Sequence, residues 1–484
     1  MTLTLFGTVF VPVLIGILLF ARAWLPALMV VAVVLQAASV VNVDLALWLG
    51  PGAGLGVYGI TPYNAVALCM GVLLLGRLVS VGVAVPVQVR GAAAWFVAYA
   101  VVAALGAVVL PRVFAGTPVH EMLALYGMSQ PPVPVKWSLS NLVQAANLGV
   151  HAVVLLYVLQ CAHEPDFGRR MVVGVVAALV LVLLVGSYER LAWLMGWPSA
   201  MEFWLNNPGY ALLGGQLSMR DILRVATPFS EPSYTSAFLA TTTLGWMAVA
   251  AFGQRTRWAL GLGVLSALGL FNTLGSTGWA AAGLAALAMV FWMGARASVL
   301  GDDNHIRPRE AWIWLVLSAV LVATLWTAQS TRYSQDIDKT LNELLLNTSQ
   351  PGNQDERDKT NVRALEIVQE TNGLGVGMGS HRASSFMASL VSNTGVLGAL
   401  LFCSMLASLL WRYFKTPRLT DIQLFAGVSL ATATLAMSLG IPDLNLPMYW
   451  GFIFLAFIFC PSTTPARSPS PSPSPSPSPS PSPS

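Results

Sequence analysis

Met171-Val172-Val173-Gly174-Val175-Val176-Ala177-Ala178-Leu179-Val180-Leu181-Val182-Leu183-Leu184-Val185-Gly186 is an apolar run without a charge, preceded by Arg169-Arg170 and followed by Glu189-Arg190. A helix needs about 20 mostly apolar residues to cross a bilayer, and with its flanks this run reaches that length. Comparable segments recur at 2–20, 25–43, 60–77, 93–111, 141–161, 235–252, 257–272, 276–294, 311–328, 385–410, 422–439 and 446–460. The pattern predicts an all-α, polytopic integral membrane protein with about 12–13 spans. Of the 484 residues, 56% are hydrophobic and only 10% charged. A soluble domain carries about 25% charged residues, so lipid is the expected solvent for most of this surface. The mean hydropathy of +0.68 agrees.

The other totals narrow the class further. The net charge of +4 comes from 25 basic and 21 acidic residues that are scattered through loops rather than gathered in a stripe, so no nucleic-acid partner is expected. Cys69, Cys161, Cys403 and Cys460 each lie in an apolar stretch with no CxxC, which reads as packing. Histidines 120, 151, 163 and 305 show no metal-ligand spacing, so no metal is expected, and no soluble cofactor is expected because the candidate site described below faces away from cytoplasmic nucleotides. Residues 1–20 lack a basic segment ahead of their apolar run, which points to a retained first helix and not a signal peptide.

Orientation follows from the basic residues of the short loops. Arg22, Arg77, Arg90, Arg169, Arg170, Arg255, Arg257, Arg296, Arg307, Arg309, Arg412, Lys415 and Arg418 fall on one side, against Arg112 and Lys136 on the other. The first side is therefore expected to be cytoplasmic. Two long loops, 187–233 and 330–384, then lie on the extracytoplasmic side of a membrane domain covering 1–461. Residues 462–484 are rich in Ser-Pro repeats and should form a disordered cytoplasmic tail. Long loops between spans are uncommon unless they do something.

Both long loops end at a span whose N-terminus faces outward. The first closes with Arg224-Val225-Ala226-Thr227-Pro228-Phe229-Ser230-Glu231-Pro232, in which Ser230 or Glu231 can cap the helix and Pro232 suits its first turn. The second carries Arg363 and then Asn372-Gly373-Leu374-Gly375-Val376-Gly377-Met378-Gly379-Ser380-His381-Arg382. Helix N-termini carry partial positive charge and free N–H groups. Together with Arg224, Arg363 and Arg382 they would suit a diphosphate, because guanidinium donates paired hydrogen bonds and stays charged. The alternating glycines would let backbone N–H groups approach such a ligand, or would simply form a turn. Glu231 and His381 are the candidate acid–base groups, each also readable as a helix-end residue.

These motifs, with Asn393-Thr394-Gly395-Val396-Leu397-Gly398, resemble the O-antigen polymerase (Wzy) and O-antigen ligase (WaaL) superfamily over residues 200–400. The resemblance implies a metal-independent membrane glycosyltransferase acting at the periplasmic face of the bacterial inner membrane. Its substrate would be an undecaprenyl-diphosphate-linked oligosaccharide, with a chain-length regulator and a flippase as partners. It assigns Arg224 and Arg363 to the diphosphate and places His381 near the ligase histidine. Two spacings depart from the family pattern. Arg363 misses the polymerase arginine-to-glycine spacing by one residue on either side, and Gly395 and Gly398 lie three residues beyond the ligase spacing from His381. They favour a polymerase of exopolysaccharide or O-antigen repeat units over a ligase that transfers glycan to lipid A core. A lipid-linked glycan flippase is the alternative from another class, and it would carry ionisable residues along a path inside its spans.

Overall fold

The computed structural model of the chain describes residues 1–44, 57–80, 82, 85–120, 132–209, 218–219, 222–300, 351–416 and 418–461. The expected span at 311–328, the Ser-Pro tail and parts of all the long loops lie outside the described residues. The rest is mostly helical. In chain order the helices are α1 (Leu5–Phe20), α2 (Leu25–Ala32), α3 (Pro62–Ser80), α4 (Arg90–Val113), α5 (Leu139–Cys161), α6 (Phe167–Met195), α7 (Met201–Trp204), α8 (Pro232–Phe252), α9 (Thr256–Thr273), α10 (Ser276–Leu300), α11 (Pro351–Glu370), α12 (Phe386–Lys415), α13 (Asp421–Gly440) and α14 (Pro447–Ile458).

Among the described residues, α3, α4 with its lead-in turn, α5, α6, α8, α12 and α13 are long and apolar enough to cross a membrane. Shorter apolar helices are α1, α2 with its lead-in turn, the first part of α10, and α14. Exposed stripes such as Leu68, Val72 and Leu75 on α3, or Val97, Val101 and Leu105 on α4, recur at helical spacing. A water-soluble fold would bury such stripes, whereas here they face outward as a lipid-facing surface does. The chain is a helical membrane protein.

Helix α8 is the axis of the bundle. It is 94% buried, against 22–56% for the other six long helices, and it packs on α9, α10 and α13. Its sequence suits that place: Gly245 admits the Phe425 ring and the Ser429 hydroxyl, to which a β-carbon would lie 2.8 and 2.4 Å away. The Thr242 hydroxyl donates to the Phe238 carbonyl at 3.0 Å and meets Ser266 Oγ at 2.5 Å. Small residues and hydroxyls of this kind are how helices pack closely where water is absent.

Three expectations are corrected. The span at 25–43 is not continuous: α2 stops after eight residues, and Val41–Asp44 forms a strand between Thr2–Leu3 and Val57–Ile60. The β-branched run Val40-Val41 favours extended backbone there, so a small antiparallel sheet sits beside the helices. The loop expected from 187 begins nine residues later, because α6 continues to Met195. Its two charged side chains are hydrogen-bonded: Glu189 accepts from Ser199 Oγ at 2.7 Å and the Ala200 amide at 2.9 Å, and Arg190 donates to the Asn272 side chain and carbonyl, both at 2.8 Å. Gly196, at φ 68°, ends the helix. The loop expected at 330–384 is not loop throughout, since it contains α11. That helix buries Thr360, Ala364 and Ile367, an i, i+4, i+7 stripe that Thr371 just beyond its end continues.

Candidate active site

The extended backbone of Glu231 occupies the N-cap position of α8, and Pro232 is the first helical residue, as the sequence predicts. The Glu231 carboxylate makes no capping bond. It accepts from Ser233 Oγ at 3.0 Å and lies 3.8 Å from Arg382 Nη2. One turn into α8, the Tyr234 hydroxyl donates to the carboxylate of Asp443, which stands in the Ile441-Pro442-Asp443 break between α13 and α14. Arg382 is electrostatically linked to both Asp443 and Glu231, and Arg224 to Arg357 and Glu231. Arg357 is an outlying residue of α11 whose guanidinium reaches over the end of α13. A β-carbon at Gly440 would lie 3.9 Å from its Nη1 and 3.3 Å from Thr277 Oγ1 at the start of α10.

The cluster thus joins three guanidinium groups and two carboxyl groups. The starts of α8 and α10 are adjacent, with the Gly278 amide donating to Ser236 Oγ at 3.2 Å, and their partial positive ends add to the same side of the balance. Burial raises the Glu231 pKa above the usual carboxylate value, with Asp443 pushing the same way; Arg382, Ser233 and Arg357 oppose. Burial lowers the Arg224 pKa, as does neighbouring Arg357, while Glu231 counters. Arg382 is partly buried too, but Asp443, Tyr234 and Glu231 more than offset that cost and hold it firmly protonated. A half-buried group of net positive charge with Arg357 exposed at its edge, and with one carboxyl biased toward protonation, is suited to an anion and to proton transfer.

What holds Arg382 in place is the glycine run, and here the expectation of free amides is corrected. Helix α12 is broken at Gly395, where φ is 70° and ψ 180°. The break frees carbonyls, and the run docks against them: the Val376 amide donates to Ser392 O at 2.9 Å and the Gly377 amide to Asn393 O at 3.0 Å, while the Val396 amide donates to Gly373 O at 2.8 Å. Gly375, Gly377 and Gly379 all have positive φ and press on neighbouring backbone. A β-carbon at 377 would lie 2.8 Å from Gly106 O, and one at 379 would lie 2.9 Å from Ser140 O. Only glycine fits such contacts. Asn393 completes the clamp, accepting from the Ser380 and His381 amides at 3.2 and 3.1 Å and donating to the carbonyls of His381 and Ser389, both at 2.7 Å.

His381 and Arg363 stand apart from the arginine–carboxylate cluster. The His381 ring is fully buried, and its Nδ1 accepts from the His120 amide at 3.2 Å. Burial lowers its pKa to about 3, with His120 and Arg363 acting the same way and the Thr360 backbone opposing. The ring is therefore neutral at physiological pH. Arg363 spends its donors within the protein: Nε on Pro118 O at 2.9 Å, Nη1 on Glu366 at 2.8 Å, and Nη1 and Nη2 on the two Glu370 oxygens at 2.7 Å each. It ties α11 to the Pro118–Val119 strand. Arg357, Tyr234 and Asp443 are the members of the cluster that sequence reading missed. No known protein family and no curated protein matches the chain.

Proposed function

We propose that this protein is a glycan polymerase of the bacterial inner membrane, joining repeat units carried on undecaprenyl diphosphate at the periplasmic face. The observation that carries the reading is the meeting of Arg224, Arg357 and Arg382 with Glu231 at the starts of two helices. In the proposed step an acceptor hydroxyl oxygen attacks the anomeric carbon of the donor sugar. The bond from that carbon to the diphosphate oxygen breaks, and the electron pair leaves with the diphosphate. Glu231 takes the hydroxyl proton, and the guanidinium groups stabilise the departing charge. Arg224 and Arg382 keep the role expected from sequence, Arg357 joins them, and Arg363 and His381 become supports of the loop.

The count of basic residues in the short loops supports a periplasmic site, since it puts the starts of α8 and α12 outside. The test is to incubate the purified protein with lipid-diphosphate-linked repeat units and resolve the products on a gel. A ladder of polymer is expected, absent in Glu231→Gln and Arg357→Ala. Transfer only when lipid A core is supplied would make the protein a ligase. Silence with both acceptors would overturn the enzyme reading in favour of transport.

A further inference from the structure

An apolar groove of about 450 Å³ opens between α10, α12 and α13, away from the arginine–carboxylate cluster. It extends along α13 from Leu424 to Leu435, flanked by Met289 of α10 and by Trp411, Phe414 and Leu419. At the helical rise of about 1.5 Å per residue those eleven steps span roughly 16 Å, about one leaflet of a ~30 Å hydrocarbon core. It starts near the N-terminus of α13 and the C-terminus of α12, the ends opposite to those that meet Arg357 and Arg382.

The mouth of the groove is built differently from its length. Trp411 and Phe414 stack with centroids 5.8 Å apart and planes at 13°. The Lys415 ammonium sits 4.7 Å over the Trp411 ring, and Arg418, exposed, adjoins the lining residue Leu419. The acid at this mouth, Asp421, is committed elsewhere: its carboxylate accepts from the Gln254 and Arg255 amides at 2.7 and 3.2 Å. It thereby holds exposed Arg255 at the same end of the bundle. An apolar slot one leaflet deep, rimmed by an interfacial tryptophan and by cations, is complementary to a lipid with acyl chains and a negative head group.

We propose that this groove is a binding site for an anionic phospholipid, whose chain lies between α10, α12 and α13 and whose phosphate meets Lys415 and Arg418. The site is independent of the polymerase reading, because it lies at the other end of the helices and its occupancy is read without turnover. The test uses the full-length protein in neutral detergent, stripped of lipid and titrated with dioleoyl phosphatidylglycerol or dioleoyl phosphatidylcholine, with adducts counted by native mass spectrometry. Phosphatidylglycerol is expected to bind saturably and more tightly. Each of Lys415→Gln and Arg418→Gln should weaken it roughly fivefold, the contribution of one basic residue at an anionic surface. Ala431→Trp, which fills the groove, should remove the saturable adduct. Equal binding of the two lipids would overturn the proposal, as would a preference that survives both rim variants. A dimer that Ala431→Trp dissociates would assign the groove to a second copy of the chain instead.

Discussion

Gly395→Ala tests the support of the site most directly. At φ 70° and ψ 180° the residue occupies backbone space that is essentially restricted to glycine, at a cost of about 1–3 kcal/mol for any other residue. The new β-carbon would also lie 2.5 Å from both Gly373 O and Leu374 O, which is too close for contact, so the docked run must shift. That shift breaks the hydrogen bonds from Val396 to Gly373, Val376 to Ser392 and Gly377 to Asn393. At about 1 kcal/mol net for each bond, the two effects together reach roughly 4–6 kcal/mol. The control is Gly283→Ala in α10, where a β-carbon meets nothing within 4 Å. Alanine there should be neutral or stabilise by about 0.5–1 kcal/mol through helix propensity. Pulse proteolysis in detergent, at a fixed protein-to-detergent ratio, reads the difference. If Gly395→Ala is as stable as the wild type while Gly283→Ala behaves as expected, the account of the run as a clamp on a broken helix is wrong.

Three further outcomes follow from the site. The raised pKa of Glu231 means that its ionised form, the proton acceptor, is reached at a higher pH than for an ordinary carboxyl. Polymer formation should therefore rise with pH through that raised value and vanish in Glu231→Gln. By linkage, the stability that Glu231 lends by holding its proton is lost over the same rise, and a pH series of denaturation midpoints checks both. Arg357→Ala should abolish the polymer ladder, whereas Arg363→Ala should retain it and lose only about 1 kcal/mol or less, because its partners Glu366 and Glu370 are half exposed. His381, held neutral in the fold with a pKa of about 3, takes up a proton on unfolding below about 6.5, its ordinary value. Stability should then fall as pH drops from about 6.5 toward 3, by up to about 1.4 kcal/mol per pH unit, and His381→Gln should flatten that slope.

The parts of this fold that were legible in the sequence are those a local pattern decides. The apolar run of α6, the Pro232 start of α8 and the Ile441-Pro442-Asp443 break are each set by residues within a turn or two of one another. What was not legible depends on partners far along the chain. Val41–Asp44 is a strand because Thr2–Leu3 and Val57–Ile60 lie beside it, and Glu189 stays helical because the Ser199 hydroxyl and the Ala200 amide satisfy its carboxylate oxygens. Arg357 was readable in principle. It lies three residues before Thr360 and seven before Ala364, so helical spacing puts it in line with the buried stripe of α11, at the end where the side chain itself is exposed, whereas Arg363 falls off that line and finds glutamates. Seeing this requires knowing that a polar segment expected as loop is a helix.

The glycine run shows why a motif can mark a site without touching its ligand. The amides of Gly373, Gly375, Val376 and Gly377 are all committed within the protein, those of Val376 and Gly377 to Ser392 and Asn393, so these four are not offered to a phosphate. Yet the break at Gly395, the clamp of Asn393 and the four left-handed glycines together fix the backbone at His381 and Arg382. From that fixed backbone the Arg382 guanidinium reaches Glu231 on α8. A long flexible arginine loses much side-chain entropy when it is held in one place, and a rigid base would reduce what remains to be ordered on binding the proposed anion. The same logic accounts for Asp443 and Tyr234: neither need meet the ligand for the pair to keep Arg382 charged and aimed. The pattern of alternating glycines is in this view a property of the scaffold, and the proposed chemistry belongs to the side chains the scaffold presents at the starts of α8 and α10.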